Sequence, residues 1–240
     1  ALCAPRTAAV FRAMPEVNQV LELPDADHRL AQLGGAWRLG WRLRSHGYRR
    51  AYVLGDAPGS TLAALVAGIP ERIGHRGEAH RLSINRVHEP QAARALPKVE
   101  HYARLAFAPR EPLPGSLPVP RLQRSAGRER AVRARFGLGD ADPLIVLCPG
   151  ADHGPARRWP TRHFAALASL LADEWPEAQL VLLGSASERP VATEIAALSG
   201  QPVRNLAGET GIDDVVAIVS QAGGIVSGDT GLMHLAAAFG

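Results

Sequence analysis

A chain of 240 residues, 46% hydrophobic and 21% charged, is long enough for two modest domains, each with its own core. Only Cys3 and Cys148 are cysteines, and no run of about 18 apolar residues occurs, which excludes a disulfide framework and a membrane-spanning helix. The net charge of +4, carried by 27 basic residues of which only Lys98 is lysine, suits an anionic substrate or membrane surface; with 5% aromatic residues and no basic stripe, nucleic acid is not expected.

In chain order, Ala1 to Arg12 reads as a strand end followed by a helix. Val17–Leu23 and Arg50–Leu54 read as strands, and Ala36–Ser45 and Gly59–Ala67 as helices. A short strand at 69–74 leads into an arginine-rich loop over His75–Arg86, and Pro97–Ala106 reads as a helix. Five prolines between Pro109 and Pro120 forbid a continuous helix or central strand there, so this stretch is the expected linker. Ala126–Phe136 follows as a basic helix.

The remainder alternates strand and helix four times. Leu144–Cys148, Gln179–Leu183, Pro202–Leu206 and Gly224–Val226 are the strands. Thr161–Glu174, with Thr161 as a plausible N-cap, Glu188–Leu198, Ile212–Gln221 and Thr230–Phe239 are the helices. Such alternation is the mark of βα units and a mostly parallel sheet, so two α/β domains, about 1–120 and 121–240, are expected with a binding cleft between them. The chain opens without an initiator methionine and stops where a C-cap glycine hands over to another strand. It therefore reads as a segment of a longer protein, lacking strands at both ends.

Four stretches carry candidate chemistry. Ser227-Gly-Asp-Thr-Gly-Leu-Met-His234 joins a strand to a helix, with Gly228 and Gly231 leaving room for a phosphate beside the unpaired N–H groups of the first turn. Asp229 is placed to cap that helix, Thr230 offers a hydroxyl, and His234 lies on the same helical face as Thr230. An ordinary capped turn with a packed histidine accounts for the same residues. The twelve residues from Pro149 to Pro160 exceed the usual length of a βα connection, which points to function. Within them Asp152 and Arg157 are candidates, Arg157 as a bidentate partner for a diphosphate. Ser185 and Glu188, after the next strand, fit either a ribose contact or an N-cap with a first-turn acid. In the first half, Arg72, Arg76 and Arg81 surround Gly74 and Gly77 and fit an acidic acceptor or a solvated basic loop. His28, His46, His75, His80, His88 and His101 show no metal-ligand spacing, so no metal is expected.

Taken together, Cys148-Pro-Gly-Ala-Asp-His-Gly-Pro-Ala-Arg-Arg-Trp-Pro160, Asn205-Leu-Ala-Gly-Glu-Thr210 and Ser227 to Ala238 resemble the lipopolysaccharide heptosyltransferases, the branch that adds the second heptose above all. Ala51-Tyr-Val-Leu54, Ala67-Gly-Ile-Pro70 and Gly74-His-Arg-Gly-Glu78 follow in the same order. The resemblance implies a GT-B fold, two Rossmann-like domains facing a cleft, the first binding the acceptor and the second the donor. It implies metal-independent transfer of heptose from ADP-heptose to the lipid-linked inner core of lipopolysaccharide, with no cofactor, in the cytoplasm and with peripheral contact with the inner membrane. Asp152, Arg157, Ser185, Glu188, Asp229, Thr230, Gly231 and His234 would then meet the donor, and Arg72, Arg76 and Arg81 the acceptor. Arg157 stands where the family has lysine. The family's general base is an aspartate in a segment expected upstream of Ala1, so the segment alone is not expected to turn over. A nucleotide-sugar epimerase and a non-catalytic binding module of the same fold are the rival readings.

Overall fold

The computed structural model describes residues 1–23, 29–54, 58–75, 83–88, 97–109, 111–139, 142–150 and 158–240. The chain divides into two units: one of Ala1–Ala8 and Asn18–Val119, the other of Ala9–Val17 and Pro120–Gly240. The division falls at the end of the proline-rich stretch and gives Ala9–Val17 to the second unit. Ala9 and Ala13 are buried in that unit's core, and the Gln123 N–H donates to the Ala13 carbonyl at 2.7 Å. Among the described residues, no helix is long and apolar enough to cross a membrane.

In the first unit, β1 (Leu2–Cys3) pairs in parallel with β2 (Leu21–Glu22), far shorter than the strand expected over 17–23. The residues before it turn instead, with Val17 N–H bonded to the Met14 carbonyl around Pro15. Helix α1 (Pro5–Arg12) follows β1. Three further strands, β3 (Arg50–Val53), β4 (Glu71–His75) and β5 (Arg86–His88), form a parallel sheet in that order. The sequence did not suggest β5, because three residues with two basic side chains carry no apolar period. Pairing supplies what the pattern lacks: Glu71, directly across from Arg50, binds Arg50 at 2.6 Å and Arg86 at 3.2 Å, tying all three strands.

Helix α2 (Arg29–Leu43) begins before the expected Ala36 and ends in a 3-10 turn, Arg44–His46. It packs along α3 (Pro58–Val66) at a distance set by Gly40, where a methyl group would come within 2.7 Å of the Ala63 carbonyl oxygen and of Val66 Cβ. Only hydrogen fits there. Helix α4 (Lys98–Ala103) continues as a 3-10 turn through Ala106.

The second unit is a three-layer sandwich. Strands β6 (Leu144–Cys148), β7 (Gln179–Leu182), β8 (Val203–Asn205) and β9 (Ala222–Ser227) run parallel in the order β8-β7-β6-β9. Alternate side chains serve opposite faces. Leu144, Val146, Cys148 and Val181 pack with residues of α5 (Ala126–Phe136), α8 (Ile212–Val219) and α9 (Gly231–Phe239). Leu147, Leu180 and Leu182 pack with α6 (Thr161–Glu174) and α7 (Arg189–Ser199). With both faces covered, the strands are apolar throughout rather than alternating. Buried Arg133 closes the lower edge, its guanidinium donating to the carbonyls of Gly139 and Asp142 and to Gln221 Oε1.

Candidate functional site

The order β8-β7-β6-β9 reverses direction between β6 and β9: the chain moves outward from β6 through β7 to β8, then returns to the other side of β6. Ligands of open α/β sheets bind at the carboxyl ends of the strands flanking such a reversal, because the connections there leave on opposite faces and open a crevice. Cys148, at the end of β6, lies in register with Ser227, at the end of β9. The two most suggestive stretches of the sequence, 149–160 and 227–234, both start from this point. Asp152 and Arg157 of the first lie outside the described residues.

Beyond β9 the chain makes a tight turn, and α9 begins at Gly231 with Thr230 as its N-cap, not Asp229 as the sequence suggested. Thr230 is extended, with φ −137° and ψ 166°, and its side chain makes no capping bond. The reason is local: Thr230 is buried, and its Oγ1 lies 3.1 Å from Ser227 Oγ, turned toward the strand end and away from the first-turn N–H groups. A methyl group built at Gly231 would meet nothing within 4 Å. At the start of α9 the N-cap hydroxyl thus leaves the first-turn N–H groups unbonded by it, and Gly231 borders open space. Asp229 and His234 are both exposed.

The end of β7 contributes a carboxylate. Ser185 to Glu188 forms a 3-10 turn in which Glu188 Oε2 accepts from the Ser185 N–H at 2.7 Å and from Ser185 Oγ at 2.8 Å. This is the capping arrangement that the sequence allowed as one of two readings, and it delays α7 to Arg189. It also aims the carboxylate across the strand ends. A methyl group at Gly150 would overlap it, and one at Gly184 would come within 3.0 Å of Oε2. Oε1 has no hydrogen-bond partner among the described residues. Beneath it, burial and the Glu188 charge push the Cys148 thiol up to about 12, although a hydrogen bond with Ser227 opposes the shift. Cys148 is a neutral packing group there, not a nucleophile. Gly208, at φ 77°, brings the segment after β8 against this turn, with its N–H on the Gly184 carbonyl at 3.0 Å.

Helix α6 starts one residue earlier than a Thr161 cap would place it. Pro160 holds the N-cap position without a side-chain bond, since its fixed φ of −57° already suits the entry.

In the first unit, Arg72 does not stand open to an acceptor. Its Nε donates to the Ser83 carbonyl at 2.6 Å and its Nη1 to that of Ile69, so the guanidinium ties β4 to the flanking loop ends. Arg76 and Arg81 lie outside the described residues. A histidine group escaped the sequence reading. His75 and His88 are register partners at the ends of β4 and β5, and His101 stacks on His75 with ring centroids 3.7 Å apart. Burial, and then the charge of His75, lowers the pKa of both His88 and His101. Recognising β5 as a strand would have shown that spacing. Face-on stacking points no nitrogens at a common centre, and among the described residues no three His, Cys, Asp or Glu side chains are arranged to hold a metal.

Residues 36–240 match the model of glycosyltransferase family 9 (heptosyltransferase). The chain belongs to this family. It is 41% identical over 236 residues to lipopolysaccharide heptosyltransferase 2 of Escherichia coli K12, across 94% of this chain and 66% of that protein. Lipopolysaccharide heptosyltransferase 2 of Salmonella typhimurium is 40% identical over 240 residues, with the same two shares. The chain therefore spans just under two thirds of the length of these family members. The solved structure of E. coli ADP-heptose lps heptosyltransferase II superposes with a TM-score of 0.79 at 37% identity, over 99% of this chain and 72% of that one. The family chain thus has the α/β fold expected from the resemblance, and the switch point described above lies inside the matched region.

Proposed function

We propose that the protein is a heptosyltransferase that moves heptose from ADP-heptose to the lipid-linked inner core of lipopolysaccharide, adding the second heptose. The observation that carries this reading is the start of α9 at the β6–β9 reversal, where Thr230 makes no capping bond and Gly231 borders open space, in a chain of the heptosyltransferase family. Backbone N–H groups at Gly231 and beyond receive the diphosphate, and Gly231 leaves room for its oxygens. Thr230 and Asp229 border the phosphates, and His234, one turn along, faces the sugar. Glu188, positioned by Ser185, offers its unpartnered Oε1 to a ribose hydroxyl. Asp152 and Arg157 belong to the adjoining loop, and Arg157 stabilises the departing ADP as negative charge builds on it. The acceptor hydroxyl loses its proton to an aspartate upstream of Ala1 and attacks the anomeric carbon; the bond to the diphosphate breaks, and ADP leaves with the electron pair. Arg76 and Arg81 assist the phosphorylated acceptor, while Arg72 holds their loop. The reaction runs at the cytoplasmic face of the inner membrane, where the lipid-linked acceptor is reached.

Calorimetric titration of the full-length protein tests the donor assignment. ADP and ADP-heptose are expected to bind and UDP-glucose to bind far more weakly; preference for the uridine donor refutes it. Arg157→Ala is expected to lower turnover by tens to thousands of fold, on the scale of a lost charge stabiliser; unchanged turnover removes that role.

A further inference from the structure

The helix that packs the first unit together presents an outer face that packing does not explain. Ala36, Gly40 and Leu43 of α2 are buried toward α3, which consumes the small and aliphatic residues of the helix. The opposite face carries Trp37 and Trp41, one turn apart, 51% and 50% exposed, with their rings edge-on at 5.9 Å. Arg44 lies over the Trp41 ring at 4.1 Å and is anchored by its Nε on the Val66 carbonyl at 2.8 Å. Arg38 and Arg42 are exposed next to the two tryptophans in the sequence, and Tyr48, stacked on His46, is exposed just past the helix end. Between residues 29 and 50 the sequence has six arginines and no acid. None of the described ion pairs involves Arg38, Arg42, Arg44 or Arg49.

Two adjacent half-exposed indole rings leave more apolar surface in water than their contacts within the unit cover. Their chemistry is that of a bilayer interface. Tryptophan settles at the headgroup level, with its ring in the acyl boundary and its N–H in the wet layer. Arginine beside it meets lipid phosphates while its methylene stem stays in apolar surroundings. We propose that the outer face of α2, from Trp37 through Tyr48, docks the protein on an anionic lipid bilayer. The charge decides for lipid over a second copy of this chain, since two such faces would set uncompensated arginines against each other. The purpose of the surface rests on the lipid-linked acceptor proposed above. Its existence does not, because docking needs neither donor nor acceptor.

The test is co-sedimentation of the full-length protein with vesicles of phosphatidylcholine mixed with phosphatidylglycerol, and with vesicles of phosphatidylcholine alone. Binding to the anionic vesicles, weakened by added salt and accompanied by a blue shift of tryptophan emission, is the expected result. The pair Arg38→Gln and Arg42→Gln should weaken it about thirty-fold, near fivefold for each charge removed. The pair Trp37→Ser and Trp41→Ser should lower it and abolish the emission shift, with ADP binding in solution unchanged. Indifference of the wild type to phosphatidylglycerol overturns the proposal, as does wild-type binding by both double variants. A lipid-free oligomer that the tryptophan pair dissociates overturns it in favour of self-association. Because vesicle binding is read without nucleotide or acceptor, it stands or falls separately from the transfer reaction.

Discussion

Gly231→Ala separates two demands on the same backbone atom. Gly231 is the first residue of α9, its φ lies outside the left-handed region, and a Cβ there meets nothing within 4 Å. Alanine therefore costs no clash and restricts the unfolded chain, which should raise stability by roughly 0.5–1 kcal/mol. The same methyl group stands where a diphosphate would approach the first-turn N–H groups. Displacing one charge-assisted bond from backbone to phosphate costs about 1.5–3 kcal/mol, or a tenfold to hundredfold rise in the dissociation constant for ADP. The expected signature is a variant that resists urea better and binds nucleotide worse. Urea denaturation, with the midpoint shifting at constant slope, reads the first, and calorimetric titration of the full-length protein reads the second. Undiminished ADP affinity in a stabilised variant would show that the diphosphate does not sit at the start of α9.

Three further expectations concern the framework. Gly34→Ala should stabilise by up to ~1 kcal/mol, because its Cβ would enter open space, whereas Gly40→Ala on the same helix should destabilise by about 1–3 kcal/mol by forcing α2 off α3; equal shifts in the urea midpoint would refute the helix contact. The Glu129 carboxyl is held below its ordinary value, chiefly by its hydrogen-bonded pairing with Arg124, against the opposing effect of burial and with help from the Ser220 hydroxyl. Its contribution to stability is therefore complete above the unfolded value near 4.5 and is lost as pH falls below that; Glu129→Gln should flatten the acid limb of the stability curve, and an unchanged limb would contradict the pairing. Arg133→Leu should cost about 2–4 kcal/mol by thermal or urea melting, since it strands the Gly139 and Asp142 carbonyls and Gln221 without their donor; a neutral result would mean that solvent reaches them.

The second unit was legible because its strands are covered on both faces and read as uninterrupted apolar runs. Leu144–Cys148, Thr161–Glu174 and Ala126–Phe136 fall where the periodicity puts them. The first unit was less so. Arg86–His88 owes its strand conformation to pairing with β4, a long-range property with no local pattern, and the histidine group depends on that pairing. Near the site, the turn could be placed from glycine spacing, but not which residue takes the N-cap position. Asp229 is the stronger cap residue by type, yet Thr230, buried against Ser227, takes the position. Likewise Ser185 and Glu188 were singled out, while the crowding of Gly150 and Gly184 around the carboxylate depends on which strands are neighbours.

The bridge from Glu71 to Arg50 and Arg86 does more than add a modest surface attraction. Three short parallel strands offer few contacts by which to recognise their proper alignment, yet shifting β3 by one residue toward the next partner would set Arg50 against Arg72 in place of Glu71. Attraction would become repulsion, and every side chain of β3 would turn to the opposite face. The ion triplet thus acts as a proofreader of strand alignment.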